Sequence, residues 1–272
     1  MNRCGCADIM KSASETAVFF EYTRSHHTLM RESFVFVSDV HIAPGNKDRV
    51  KRFSGFLDML RESEVARVYI LGDLFDYWVG RGHEKQPEYN SVLAKIRELA
   101  ESGVQVYLFH GNRDFLLNSR TVRMAGAVLA GDDMNIQLGG KTVHLCHGDH
   151  LCKADRAHLA LRKCIRSRVF GILFAACPFF VRRRLARKLR DISRHAVAGK
   201  SQQTVRFSPH AIEAIFQGGV DVLVCGHTHS RGEHVTQSNG RGHVLYKLGD
   251  WATNGCYLLY KDDRFQFLHS EG

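Results

Sequence analysis

A chain of 272 residues, 44% of them hydrophobic, can bury the core of one large domain and leave room for an insertion. No apolar run approaches the ~18 residues that cross a bilayer as a helix, which excludes an integral helical membrane protein and predicts a soluble one. The formal net charge of +10 is local: residues 151–206 hold fifteen Lys or Arg against two Asp, so the rest of the chain is net acidic.

Residues 1–33 mix Ser, Thr, His and Cys without sustained periodicity and lack the basic-then-apolar layout of a secretory signal. A disordered extension is expected there, followed by one domain over 34–272. Met30 is a natural alternative start, because the first core strand follows at once. From there strand and helix patterns alternate. FVFVSDVH (34–41), RVYILGDLF (67–75), VQVYLFHGN (104–112), KTVHLCHGD (141–149) and DVLVCGHTH (221–229) are β-branched or aromatic runs that break into polar residues at their C-terminal ends. Between them, residues 49–63 and 91–102 carry helical periodicity, and Ser208-Pro209 predicts a helix start for 209–218. Such alternation implies a layered α/β fold, in which ligands bind beyond the carboxyl ends of the strands. Shorter strands follow residue 229, with a tight hairpin at 238–241. The eight cysteines include no C-x-x-C pair, and Cys146 and Cys225 lie in apolar runs where a thiol packs as a small hydrophobe, so a reducing, cytoplasmic setting is expected.

The polar residues that end the five strands are Asp39 and His41, Asp73, Asn112, His147, and His227 with His229. Alone, each has an ordinary explanation: a packed histidine, or an aspartate forming a turn after glycine. Together they deliver carboxylate, imidazole and amide groups to one sheet edge, more than one cation needs and enough for two. The mixed O/N set suits manganese or iron, and zinc less exclusively, while the absence of thiolates argues against a structural zinc site. Asp-x-His and His-x-His fit a strand end, where alternate side chains project to the same side. One carboxylate must bridge the ions, and Asp73 is best placed by its order in the chain.

The motifs D-x-H, G-D, G-N-R-D, H-G-D and G-H-T-H, in that order over residues 34–250, resemble those of the calcineurin-like metallophosphoesterases. That resemblance implies a β-sandwich of two mixed sheets flanked by helices. It also implies that Asp39, His41 and His229 hold one metal, that Asn112, His147 and His227 hold the other, and that Asp73 holds both. GDLFDYW lacks the GDxxDRG continuation of phosphoprotein phosphatases. Many relatives place His directly after the Asn, where it can protonate an alkoxide leaving group. A guanidinium cannot do that work but can hold charge on a phosphoryl transition state, so Arg113 suits a leaving group that is already a phosphate, hence a pyrophosphatase. Asp114 either orients a ligand or Arg113, or caps the following turn.

Residues 151–206 carry no strand pattern, a central apolar run VFGILFAACPFFV and a break at Pro178, and are read as a helical insertion. Three readings compete: a buried helical hairpin, a nucleic-acid surface, and an apolar surface rimmed with cations for an acylated, anionic substrate at a membrane face. Large aliphatics alternate with the basic residues and no nucleic-acid motif is present, which favours the last. YILGDLFDYWVG, HGNRDFLL, HGDHLCKAD, PFFVRRRLARKLR and SRHAVAGKS sharpen the resemblance to the UDP-2,3-diacylglucosamine hydrolases of lipid A biosynthesis. That family implies manganese-dependent cleavage of UDP-2,3-diacylglucosamine to UMP and 2,3-diacylglucosamine 1-phosphate by attack on the α-phosphorus, at the cytoplasmic face of the inner membrane. The insertion would be a lid holding acyl chains. On matching positions Asn112 and Arg113 would be catalytic. Trp78, Asn112, Arg113, Asp155, His158, Arg190, Ser193, Lys200 and His227 would contact the substrate. Departures are His158 where the family usually has Tyr, VRFS before the next helix, and the extra N-terminal residues. A pyrophosphatase of another nucleotide-linked lipid or sugar, and an inactive scaffold, are the alternative readings; a scaffold would be expected to have lost ligands, and none is lost.

Overall fold

The computed structural model describes residues 33–154, 156–198, 206–238, 240–251 and 255–270. The expected N-terminal extension, apart from Ser33, lies outside them. Ser33 already belongs to the first strand, so that element opens one residue before the expected domain start.

Two mixed sheets form the frame. The first has the order β11-β10-β1-β2-β3-β4, from β1 (Ser33–Val37), β2 (Val65–Ile70), β3 (Gln105–Phe109), β4 (Val128–Gly131), β10 (Cys256–Lys261) and β11 (Arg264–His269). The second has the order β5-β6-β7-β9-β8, from β5 (Asp133–Leu138), β6 (Lys141–Cys146), β7 (Val222–Cys225), β8 (Gly232–Ser238) and β9 (Arg241–Lys247). Strands β1 to β4 run parallel and β10 joins β1 antiparallel. In the second sheet β6, β7 and β9 run parallel between antiparallel edges. Ser238 pairs with Arg241, the register expected of a tight hairpin at 238–241.

Strand β1 explains why the central strands read as unbroken apolar runs. Its residues are all buried: Val35 and Val37 join one core cluster while Phe34 and Phe36 join another. Alternate side chains leave a strand on opposite faces, so a strand covered on both faces needs apolar residues throughout. The Phe34 and Phe36 cluster lies between the sheets, with Tyr69 and Phe109 meeting Leu145, Val224 and Tyr246. The Val35 and Val37 cluster packs beneath α1 (Lys47–Arg61) and α2 (Pro87–Glu101), which contribute Phe53, Phe56, Leu57, Tyr89, Val92 and Ile96. Asn46 caps α1 by accepting from the Arg49 N–H, and a proline opens α2 where no backbone donor is needed. The short α3 (Ser119–Met124) follows β3.

Three helices interrupt the second sheet between β6 and β7: α4 (Arg156–Ile165), α5 (Arg168–Ala176) and α6 (Phe179–Ala198). Cys177 and Pro178 separate the last two, the break expected at that proline. Helix α7 (Pro209–Gln217) then packs Phe216 against the outer face of the second sheet, over Leu223 and Leu245. The sheets thus bring the carboxyl ends of β1, β2, β3, β6 and β7 to a common edge.

Candidate metal centre

Each of those strands stops just before its polar residues, and the turn that follows supplies the candidate ligand. Asp39 and His41 follow β1, Asp73 follows β2, Asn112 follows β3, His147 follows β6, and His227 and His229 follow β7. The alternation expected for Asp-x-His and His-x-His does not bring their side chains together. Asp39, His41, Asp73, His227 and His229 instead have φ between 52° and 69°, the left-handed region that non-glycine residues rarely enter. At roughly 1–3 kcal/mol each, this strain persists only where the surroundings over-determine it. Here the turns are tied to one another: the Asp39 N–H donates to the Gly72 carbonyl at 3.2 Å and the His41 N–H to the Asp73 carbonyl at 2.9 Å. The contacts are too close for any side chain at Gly226, where a Cβ would lie 2.1 Å from Ser38 Oγ and 2.4 Å from Asp39 Oδ2.

All seven side chains converge. His41 Nε2 faces His229 Nε2 at 3.2 Å, and Asp39 Oδ1 lies 3.7 Å from His41 and 3.4 Å from His229. On the other side Asn112 Oδ1 is 2.9 Å from His147 Nε2 and 3.1 Å from His227 Nδ1. Asp73 stands between the groups, one oxygen 3.8 Å from His41 Nδ1 and the other 3.8 Å from His147 Nε2. His147 donates Nδ1–H to the Leu71 carbonyl at 2.9 Å, which leaves Nε2 facing the site as an electron-pair donor. Buried His41 Nδ1 has no hydrogen-bond partner, an arrangement that costs free energy unless something else meets it.

Divalent cations fit this set. Burial opposes ionisation of Asp39, yet a hydrogen bond from His229 and the surrounding imidazoles hold its carboxyl far below the usual range. Burial pushes Asp73 up to about 6 despite His147 and Arg113. His229 is raised to about 10: burial opposes its charge, but hydrogen bonds to Asp250 and Asp39 outweigh it. The charge of a protonated His229 therefore balances ionised Asp39 where a cation could do so, and the mixed oxygen and nitrogen donors suit first-row divalent metals.

Arg113 stands beside the cluster. Its Nε lies 3.2 Å from Asp73 Oδ2, its Nη1 donates to Asp76 Oδ1 at 3.3 Å, and its backbone N–H donates to Asp73 Oδ1 at 2.9 Å. Asp76, only 4% exposed, escaped the sequence reading although it stands in the same GDLFD stretch as Asp73. Asp250, which backs His229 at 3.5 Å, escaped it too; its signal is another Gly-Asp pair just beyond a strand. Asp114 proves to be a fastener. Fully buried, it accepts from the N–H groups of Asp73, Phe75 and Gly111 at 3.2, 3.3 and 2.8 Å and so locks two ligand turns together.

Trp78, expected as a substrate contact, lies beneath the Arg113 turn in this structure. Its indole is 2% exposed and packs against Phe75, Tyr89 and His83, while its backbone N–H donates to the Arg113 carbonyl at 3.0 Å. The aromatic core captures the ring, so in this structure Trp78 supports the Arg113 turn from beneath. Asp155 and Lys200 lie outside the described residues, as do the side chains of His158, Arg190 and Ser193.

The match to the calcineurin-like phosphoesterase family covers residues 33–231. "UDP-2,3-diacylglucosamine hydrolase" of Ectopseudomonas mendocina is 35% identical over 233 residues, spanning 85% of this chain and 95% of that protein. The chain belongs to this hydrolase family of calcineurin-like phosphoesterases. Family members of the same name from Pseudomonas aeruginosa and Klebsiella pneumoniae are 36% and 32% identical over 83% and 86% of the chain, and the chain covers 94% and 98% of their lengths. Among solved structures, a dimetal phosphatase from Danio rerio aligns with 88% of this chain and 95% of its own at 14% identity and a TM-score of 0.47.

Proposed function

We propose that this protein hydrolyses the pyrophosphate bond of UDP-2,3-diacylglucosamine, giving UMP and 2,3-diacylglucosamine 1-phosphate for lipid A biosynthesis. The observation that carries the reading is Arg113, braced by Asp73 and Asp76 beside a seven-ligand cluster, in a chain whose relatives bear that hydrolase's name. Asp39, His41 and His229 would hold one ion, Asn112, His147 and His227 the other, and Asp73 both. Two divalent ions, which we take to be Mn2+, supply Lewis acidity toward the phosphate oxygens and acidify water toward neutral pH.

The chain's own residues then define the reaction. Arg113 presents a cation to the phosphoryl oxygens as charge develops on them, and its two carboxylate partners fix the guanidinium in advance. No residue occupies the position after Asn112 as a proton donor, and none is needed, because the departing group is a phosphate. A water oxygen bonds to the α-phosphorus while the bridging P–O bond breaks and its oxygen leaves with the sugar phosphate.

The insertion supports a lipid substrate at the cytoplasmic face of the inner membrane. On α5 and α6, Val169, Ile172, Leu173 and Phe180 are 64–71% exposed, so the central apolar run is not the core of a buried hairpin. Exposed Arg184, Arg187 and Lys188 stand beside them, the pairing of apolar face and cationic rim that suits an anionic lipid surface. Arg190, Ser193, Lys200, Asp155 and His158 belong to this proposal as contacts for the anionic head group.

Hydrolysis of UDP-2,3-diacylglucosamine with Mn2+ in ¹⁸O water tests the reading, with mass spectrometry of both products. The label is expected in UMP. Label in the lipid phosphate would overturn attack at the α-phosphorus. Turnover of other nucleotide-linked lipids or sugars without turnover of this one would shift the assignment to a related pyrophosphatase.

A further inference from the structure

Arg162 of α4 and Arg166, the residue just past its last turn, tie the helical insertion to the ligand turns. The Arg166 N–H still donates to the Arg162 carbonyl at 3.1 Å, so the two side chains, four residues apart, leave the end of the helix on the same side. Arg162 donates Nε–H to Asp149 Oδ2 at 2.8 Å and Nη2–H to Asp132 Oδ2 at 3.1 Å. Arg166 donates through Nη1 to Asp132 Oδ1 and through Nη2 to the Gly111 carbonyl at 3.2 Å. These acceptors come from both halves of the site. Gly111 opens the Asn112 turn of the first sheet, Asp149 closes the His147 turn of the second, and Asp132 sits between β4 and β5 where the chain crosses from one sheet to the other.

The Gly111 carbonyl is the informative acceptor. It belongs to the peptide unit that joins Gly111 to Asn112, so a bond to it fixes the plane from which Asn112 departs. The same residue gives its N–H to Asp114 at 2.8 Å, and a Cβ on it would lie 2.1 Å from Asp73 Oδ1. The backbone before Asn112 is therefore held by Asp114, by contact with Asp73 and by Arg166. Arg166 is largely shielded, its side chain 17% exposed, and Asp149 is buried. The shielded, charge-assisted bonds to Asp149 and to the Gly111 carbonyl hold geometry better than the pair with Asp132, whose side chain is 40% exposed.

We propose that Arg166, seconded by Arg162, is a positioning residue of the reaction: it couples the seating of the insertion to the placement of Asn112 and Arg113. The helices proposed to receive the lipid then also align the ligand turn. This rests on the two-ion hydrolase reading but not on the identity of the lipid.

Arg166→Met keeps the aliphatic stem and removes both donors, while Arg166→Lys keeps the charge but cannot bridge both acceptors. Each variant is compared with wild type for kcat and KM on UDP-2,3-diacylglucosamine and on bis(p-nitrophenyl) phosphate, a small diester without acyl chains. Mn2+ affinity is measured by isothermal titration calorimetry. Arg166→Met should lower kcat about tenfold or more on both substrates and weaken Mn2+ binding about fivefold, with KM for the lipid within about twofold of wild type. Arg166→Lys should fall between, and it decides the matter if the Met variant fails to fold. Wild-type kcat and Mn2+ affinity, or a rise in KM for the lipid alone, would make Arg166 an anchor of the helix and overturn the proposal. Should wild type ignore UDP-2,3-diacylglucosamine while Arg166→Met still loses activity on the small diester, the substrate reading fails and the positioning role stands.

Discussion

Arg113 draws on two carboxylates that differ in duty: Asp73 faces both groups of candidate ligands, whereas Asp76 faces Arg113. Removing the guanidinium should therefore leave the ions in place and remove charge stabilisation only. Arg113→Ala is expected to lower kcat by about 10²–10³ at unchanged metal content, the usual loss for a preorganised electrostatic group. Metal analysis beside the rate checks it, and loss of bound Mn2+ would mean that Arg113 holds the ligand shell itself. All seven candidate ligands were legible as residue types at strand ends. The left-handed backbone at five of them was not, because nothing in the identity of an Asp or His announces a positive φ. Gly72 and Gly226, directly before Asp73 and His227, were the available marks of close backbone approach.

At the scale of elements, the five strands that lead to the candidate ligands could be read because each ends in a buried apolar stretch. Strands β4 and β5 could not. β4 is four residues with no buried position, and β5 alternates exposed and half-buried side chains until Leu138. α3 spans six residues, too few for a periodic pattern to form. The helices of the insertion could be foreseen in kind, but not which apolar residues they would leave exposed. Phe174 is 9% exposed and packs with Tyr77, Val79 and Phe179, whereas Ile172, Leu173 and Phe180 face outward. Replacing those three by Gln should raise KM for the diacylated substrate about tenfold or more while changing KM for a deacylated analogue much less, since each buried apolar side chain contributes about 1.5–3 kcal/mol. Equal losses on both substrates would place these residues in the support of the fold.

For the whole molecule, the candidate ligands come from turns of two different sheets, so bound ions cross-link the sandwich. Mn2+ at about 100 times its Kd should add about 2.7 kcal/mol to stability, a rise in Tm of about 5–10 °C for a domain of this size. Asn112→Ala and His147→Ala should each shrink that rise and nearly abolish turnover, and calorimetric scans with and without Mn2+ test both. Strand β10 has a different consequence. It lies between β11 and β1, with Tyr260 beside Phe34, Leu259 beside Val35 and Leu258 beside Phe36. As the chain emerges from a ribosome, β1 comes first and must wait for nearly all the other strands before its second neighbour exists. Until then the edge that leads to Asp39 and His41 stays open, a hazard for pairing with other chains and a reason for folding to finish late. The metal centre is thus among the last features of the protein to take shape during its own synthesis.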